Sequence, residues 1–560
     1  MKYNTLLFLI SLVSFAMFQS CGNDENPFIP DDSIIIEAPI DPDFPTNPQM
    51  IDTKGAVVIS FGAKKATITN PFEDKGVVIS SHEAHVVVQS TATDSIAYVL
   101  TGSTPDGSLK IYSDTQFDLI MNGVDIVNSD DPALNIQSSK KATITLVGGT
   151  ANRIAGGAGF TSEGSNEKMK GAFYSRGQLV ISGAGKLTTI SRYRHAICSD
   201  DYIRINGGII TIPMSANDGI HANDYIEIND GTVSINSIGD GIDSEGYVLI
   251  TGGSILITTT GDKAHGIKSA TETTVQTSGE IMINVEGDGS KAFRCVGDML
   301  ISQGVLNLTT SGDACYDFLE EDISSASGIK CHGDLVVNGG HVEINSSGLG
   351  GKGISVNGAV TINKGELAVT TTGDIYRLSN NNTKAKAIKN DADFTMNGGM
   401  LYADSKSDNA IDAKETFVIS GGTVIGIGRD ASKKGFAWGK SFNIKGGTIV
   451  GIGGSTSSPT ASGCTQYVVN YSGAISQDAF FSIVSSVDKN NLIYQLPCTL
   501  SKAFLLFSSP DLERNVDYRL LSEGAVLGGG SFHGLYSGAT INGGTVQATF
   551  TISSIITNIN

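Results

Sequence analysis

The stretch SANDGIHANDYIEINDGTVSINSIGDGIDSEGYVLITGG, Ser215 to Gly253, says nearly the same thing twice, with Asp218 and Asp240 set 22 residues apart. Tandem units of this length point to a solenoid, in which no unit buries its apolar face alone. The repeat continues beyond this pair. A column of glycines recurs at Gly208, Gly231, Gly253, Gly279, Gly304, Gly340, Gly365, Gly399, Gly422 and Gly447. Short alternating segments flank each glycine, such as YIEI before it and TVSI after it. A third segment precedes them: AIC, GIH, GID, GIK, AFR. Alternation with period two gives each segment one apolar and one polar face. Three short strands in units of mostly 22 to 26 residues describe an all-β parallel β-helix. Its coils stack about 4.8 Å apart. The inward ladder is then Ile197, Ile220, Ile242, Ile267, Phe293, Ile329, Ile354, Ile388 and Ile411. A helical solenoid is excluded, because no unit shows i, i+3, i+4 spacing. A propeller needs blades of about 40 residues.

The β-helix is expected over 51–454, with irregular coils before residue 194 and GAFY (Gly171–Tyr174) in the GIH slot. Insertions at Cys315–Ser327 and Ile375–Lys386 are expected to project from single corners. After Gly454 the glycine column stops, and 455–560 reads as a small C-terminal β module that can cap the open end. The first 20 residues form a short apolar segment behind Lys2 and resemble a lipoprotein signal. Cys21 is then the lipidated residue; the other reading is a plain secretory signal with an incidental cysteine. The acidic GNDENP after it resembles a lipoprotein surface-export signal. Residues 21–50 carry Pro27, Pro30, Pro39, Pro42, Pro45 and Pro48 among acids and read as a tether. This predicts an outer-membrane lipoprotein exposed at the cell surface, a monomer that meets membrane only through its lipid. A net charge of −19 argues against nucleic acid and suits cations.

In a solenoid, equivalent positions become neighbours, so columns carry the chemistry. Aspartates restart the coils at Asp218, Asp240, Asp262, Asp288, Asp313, Asp374 and Asp408. Each can form a turn by accepting a backbone N–H. Stacked carboxylates about 5 Å apart also repel by about 3 kcal/mol at an effective dielectric of 20, which a cation relieves. Calcium is the natural candidate, on Asp218, Asp240, Asp243 and Asp262 with Asp224 nearby. A second column follows the inward isoleucine and points out: Cys198, His221, Asp243, Lys268, Arg294, Lys330, Ser355, Lys389, Asp412. It is either a solvated stripe or a strip on which His221, Lys268, Arg294 and Lys330 meet an acidic polysaccharide. Tyr202, Tyr225 and Tyr247 form a third column, either a packed ladder or a platform for sugar rings. Cys295 and Cys331 share one inward slot and are expected buried and reduced; Cys464 and Cys498 are a candidate pair. No nucleophile elbow, phosphate loop or HExxH motif occurs.

The run NDGIHANDYIEINDGTVSINSIGDGIDSEGYVLITGG, followed by ASGIKCHGDLVVNGGHVEINSSG, resembles a family of secreted right-handed parallel β-helix proteins catalogued as carbohydrate-binding. The likeness takes in most of the chain beyond residue 50. It implies a fold similar to pectate-lyase-type proteins, bound calcium and affinity for plant cell-wall polymers. Leu349 stands where the coil-start aspartate is expected, a departure from the pattern. The leading expectation is a surface-anchored, calcium-binding, non-catalytic polysaccharide-binding protein. One alternative is a calcium-dependent lyase on uronic-acid polymers, with Lys268 or Arg294 taking the proton. The other is an adhesin or stalk without glycan binding.

Overall fold

A computed structural model describes residues 49–161, 167–379, 381–475, 480–486, 490–497 and 500–559. The leader, Cys21 and the tether up to residue 48 lie outside the described residues. The described chain is a β-solenoid followed by a small antiparallel module. One 15-stranded sheet forms a single long face of the solenoid. It opens with the antiparallel pair Val77–His82 and His85–Ser90 and then adds parallel strands coil by coil, down to Phe436–Trp438. A 27-stranded sheet makes the other two faces.

Those two faces form one sheet because several strands run through the bend. Ile226–Ser237 is a single strand with Gly231 at its kink, whereas the next coil breaks into Val248–Ile250 and Ser254–Thr259. Gly231 has φ +97°, and a Cβ there would lie 2.6 Å from the Gly208 carbonyl oxygen one coil earlier. The glycine column is therefore a steric requirement of stacked bends.

The inward ladder forms in the expected register: Ile197, Ile220, Ile242, Ile267, Phe293, Ile329, Ile354, Ile388 and Ile411 pair in succession. Every member is at most 1% exposed, so each contributes about 2–3 kcal/mol of burial. Phe173 pairs with Ile197, which places GAFY in the ladder as expected. The coils before residue 194 also join, through Ser108–Ser113, Leu134–Ile136 and Gly171–Ser175. The last coil strand, Thr448–Gly453, pairs antiparallel with Leu500–Ser508, which covers its open edge. Cys295 and Cys331 are buried free thiols whose Sγ atoms donate to the Thr271 and Gly297 carbonyls at 3.0 and 3.1 Å. Cys464 is a free thiol, and Cys498 lies outside the described residues.

Both insertions are antiparallel hairpins. Cys315–Asp317 pairs with Asp322–Ser324, and Tyr376–Leu378 pairs with Asn381–Thr383. Both rise beside the 15-stranded sheet and wall a trough on it.

Candidate functional site

Two outward columns run along the 15-stranded sheet. The first lies one residue after the inward ladder and pairs Cys198, His221, Asp243, Lys268, Arg294, Lys330, Ser355, Lys389 and Asp412 in that order. The second lies two residues before the ladder. His195, Asp218, Asp240, His265 and Lys291 follow one another there, linked coil to coil by backbone hydrogen bonds. Ser327, Lys352 and Lys386 continue it. Sequence reading found the first column and missed the second as a unit. The missed signal was the residue before the small one in GIK, AFR and GIS: His265, Lys291 and Lys352.

At one end the columns interlock as a buried histidine–aspartate cluster. His195 Nδ1 lies 3.1 Å from Asp218 Oδ2, and His221 Nδ1 lies 3.5 Å from the same oxygen and 3.2 Å from Asp243 Oδ2. The two imidazoles stack at 4.5 Å. Asp218 also accepts the Asp240 N–H at 2.8 Å through its other oxygen. Burial opposes ionisation of Asp218, but His195 and His221 outweigh it and hold the carboxyl well below the usual range. Burial likewise disfavours the His221 cation, yet Asp218 and Asp243 push the ring up to about 10. Lys268 follows, with Nζ 3.0 Å from Asp240 Oδ2 and 3.1 Å from Asp243 Oδ1. Burial works against its charge, but the neighbouring aspartates hold it above the ordinary lysine value.

This geometry revises several expected placements. Asp262 does not stack on Asp240; it stacks instead with Asp288, Asp313 and Leu349 at another corner. There each Asp Oδ1 accepts the next backbone N–H at 2.7 to 2.9 Å. The coil Gly261–Ile267 is longer between corner and ladder, so His265 takes the slot after Asp240. Leu349 occupies its coil's place in this ladder without disturbing the backbone bond. Asp224 is exposed at a third corner, beside Asp201. The donors at 218, 240 and 243 do not fit an all-oxygen calcium cage, because the imidazole of His221 and the ammonium of Lys268 stand among them. Lys268 does not fit a proton-accepting role either, since its charge is held by two carboxylates.

Tyr202, Tyr225 and Tyr247 form a ladder with centroids 4.7 Å apart and rings within 10° of parallel. Both faces of Tyr225 are covered by its neighbours, so it offers no face to a sugar. Tyr247 Oη donates to Glu227 Oε1 at 2.8 Å, and Glu227 pairs with Arg204 at 2.5 Å. This flank lies away from the trough that holds the cations.

That trough follows Lys268 along the same sheet, with a cavity of about 1070 Å³. It is lined by ten basic side chains (Lys263, Lys268, Lys291, Arg294, Lys330, Lys352, Lys384, Lys386, Lys389, Lys433) and five acids (Asp317, Glu320, Asp322, Asp391, Asp408). Several basic groups are paired, as Lys389 is with Asp391 at 3.1 Å and Lys433 with Asp408 at 2.9 Å. Lys291, Arg294, Lys330 and Lys352 have no carboxylate partner among the described residues. Lys330 Nζ donates to Asn357 Oδ1 at 2.6 Å, and Lys352 Nζ to Thr383 Oγ1 at 2.8 Å and to the Gly350 and Lys384 carbonyls. Lys291 Nζ donates to the Gly289 carbonyl and to Ser324 Oγ. Burial, then Arg294, pushes Lys291 down to about 7. Burial and Lys386 push Lys352 down to about 7, and burial and Lys389 push Lys330 down to about 8. Arg294 and Lys330 were foreseen here; Lys291 and Lys352 were not.

A carbohydrate-binding domain-containing protein of Acetivibrio thermocellus is 29% identical over 118 residues, which is 20% of this chain and 41% of that relative. The chain therefore spans less than half the length of this relative. A solved polysaccharide lyase-like protein from C. thermocellum, a gadolinium derivative, aligns with 25% identity and a TM-score of 0.39, over 45% of this chain and 99% of that one. The family model for carbohydrate-binding domain-containing proteins matches residues 82–375, which hold the histidine–aspartate cluster and most of the trough, and the chain belongs to that family.

Proposed function

We propose that the trough binds an acidic polysaccharide whose uronate carboxylates meet Arg294, Lys330, Lys291 and Lys352. The observation that carries this is uncompensated positive charge in a chain of net charge −19. Neighbouring cations at strand spacing repel by about 3 kcal/mol at an effective dielectric of 20. A run of carboxylates at polymer spacing removes that cost and gains charge-assisted hydrogen bonds. The polar cluster over one strand face favours this reading over an adhesin or stalk without glycan. Anchoring through a lipidated Cys21, with the tether holding the solenoid off the membrane, belongs to the same proposal. The test is retention on polygalacturonate and alginate against cellulose at low and high salt. Retention on the acidic polymers, lost in salt and in the Arg294→Ala/Lys330→Ala double variant, is the expected result. Equal retention on all three polymers, or none, rejects it.

One observation favours a second reading, β-elimination on the same polymer. Lys291 and Lys352 are held toward the neutral amine, the form that takes a proton. Either amine can take the proton α to the uronate carboxylate. The C–H electron pair then forms the C=C bond as the glycosidic C–O bond breaks, and the departing oxygen takes a proton from the ammonium just formed or from water, while Arg294 or Lys330 stabilises the charge on the carboxylate. Absorbance of unsaturated uronate in digests of pectate and alginate tests this, and its absence across neutral and alkaline pH rejects it.

A further inference from the structure

The histidine–aspartate cluster has an arrangement that glycan binding does not use. His195, Asp218 and His221 are all buried, and one ligand atom from each lies within 4.8 Å of the others. Two of the three edges are known more closely: 3.1 Å from His195 Nδ1 to Asp218 Oδ2, and 3.5 Å from His221 Nδ1 to the same oxygen. A tetrahedral ion with bonds of about 2.0–2.1 Å sets its ligands about 3.3 Å apart. The observed edges bracket that spacing before any ion is present.

Two further observations point to a ligand. His195 is 8% exposed, and its buried Nδ1 meets Asp218 Oδ2 at 3.1 Å without forming a well-directed hydrogen bond to it or to any other described residue. His221 Nε2 lies 3.2 Å from Asn223 Oδ1, which suits an N–H on that side and turns Nδ1 to Asp218 and Asp243. A bare Nδ1 lone pair facing two carboxylates is repulsive, so a cation belongs there, either a proton or a metal. An outer partner that fixes the tautomer is the usual support of a metal-bound imidazole.

We propose that His195 Nδ1, His221 Nδ1 and Asp218 Oδ2 bind one divalent transition ion of the zinc class, with Asp243 as a neighbouring fourth oxygen. Two imidazoles and a carboxylate suit such ions, whereas calcium calls for six to eight oxygens. The site lies at one end of the trough, joined to it through Lys268, and its occupancy is independent of whether the trough takes a glycan.

The test uses the full chain. Cobalt(II) is titrated in and the visible d–d bands are read, and zinc binding is measured by calorimetry. The expected result is one equivalent of zinc with Kd at or below about 1 µM, displacement of cobalt by zinc, and no competition from millimolar calcium. His195→Ala and His221→Ala each weaken binding at least about tenfold, roughly the lower bound for loss of one ligand. No binding of either ion by the wild-type chain overturns the proposal without recourse to any variant. Zinc binding that survives in both variants, when they keep the wild-type circular dichroism, overturns it as well.

Discussion

The Lys268 ammonium lies 3.1 Å from Asp243 Oδ1, one coil further along the same outward column. It also reaches Asp240 Oδ2 at 3.0 Å, so one cation serves two carboxylates whose side chains are each 10% exposed. Removing it leaves two nearly buried carboxylates beside Asp218; Asp240, which burial already pushes up to about 7, then takes a proton, and Asp243 loses its ammonium partner. Lys268→Ala is expected to cost about 2–4 kcal/mol, below the fully buried limit because Lys268 keeps partial access to water. Lys268→Met keeps the stem packing and separates charge from volume. Thermal melts of both variants check this, and equal wild-type stability would remove the claim.

Lys352 and Lys291 make stability depend on pH in an unusual direction. Their native values are about 7, against an ordinary lysine value of 10.5. Between pH 7 and 10.5 the unfolded chain holds protons that the native chain has released, so stability rises with pH across that window. The slope reaches at most about 1.4 kcal/mol per pH unit for each lysine. Lys352→Met should flatten it. Binding of a polyuronate should run the other way, weakening from pH 6 to 9 as Lys291, Lys352 and Lys330 lose the charge that attracts it. Denaturant melts and binding isotherms at four pH values check both signs.

The repeat, the inward ladder and the bend glycines were legible because each is set by period and sterics that recur in every coil. A 22-residue offset carries Ile220 onto Ile242 whatever surrounds them. The site was legible only where it followed the ladder by a fixed step, as Lys268, Arg294 and Lys330 do. Asp262 was misplaced because its coil is three residues longer than the 22-residue one before it, with Ile242 to Ile267 spanning 25. Counting from the preceding strand then follows the wrong corner, while counting back from the ladder residue finds His265. Lys291 and Lys352 were hidden for a different reason. Their importance comes from hairpins inserted elsewhere in the chain, whose Ser324 and Thr383 close over them.

The tyrosine ladder should matter for stability and be silent in binding. Tyr225 is sandwiched by Tyr202 and Tyr247 and lies outside the trough. Tyr225→Ala removes two ring–ring contacts and is expected to cost about 2–3 kcal/mol. Retention on acidic polymers should stay within twofold of wild type, roughly the scatter expected for a distant site. A tenfold loss of retention in a variant that remains folded would return the ladder to the binding surface.

The hairpin Cys315–Ser324 should be separable from the fold. It leaves one corner between ladder residues Phe293 and Ile329, which pair directly with each other on the sheet below it. Replacing residues 316–323 with a short Gly/Ser linker therefore keeps every ladder contact, and loop-length changes of this kind cost little in closure entropy. It does remove Asp317, which pairs with Lys263 at 3.3 Å, and one wall of the trough. Lys291 also becomes more exposed to water, so its pKa should rise toward the ordinary lysine value as the burial that depresses it is relieved. The expected outcome is a melting temperature within about 3 °C of wild type, a flatter pH-stability slope, and retention of short acidic oligosaccharides at pH 8 that is at least as strong as wild type, because Lys291 keeps its charge and the wall acids Asp317, Glu320 and Asp322 are gone. If Lys291 is also the base of an elimination, turnover at pH 7 falls while binding does not, because the neutral amine becomes scarce. Global unfolding of the shortened chain would instead show that the hairpin is part of the solenoid core.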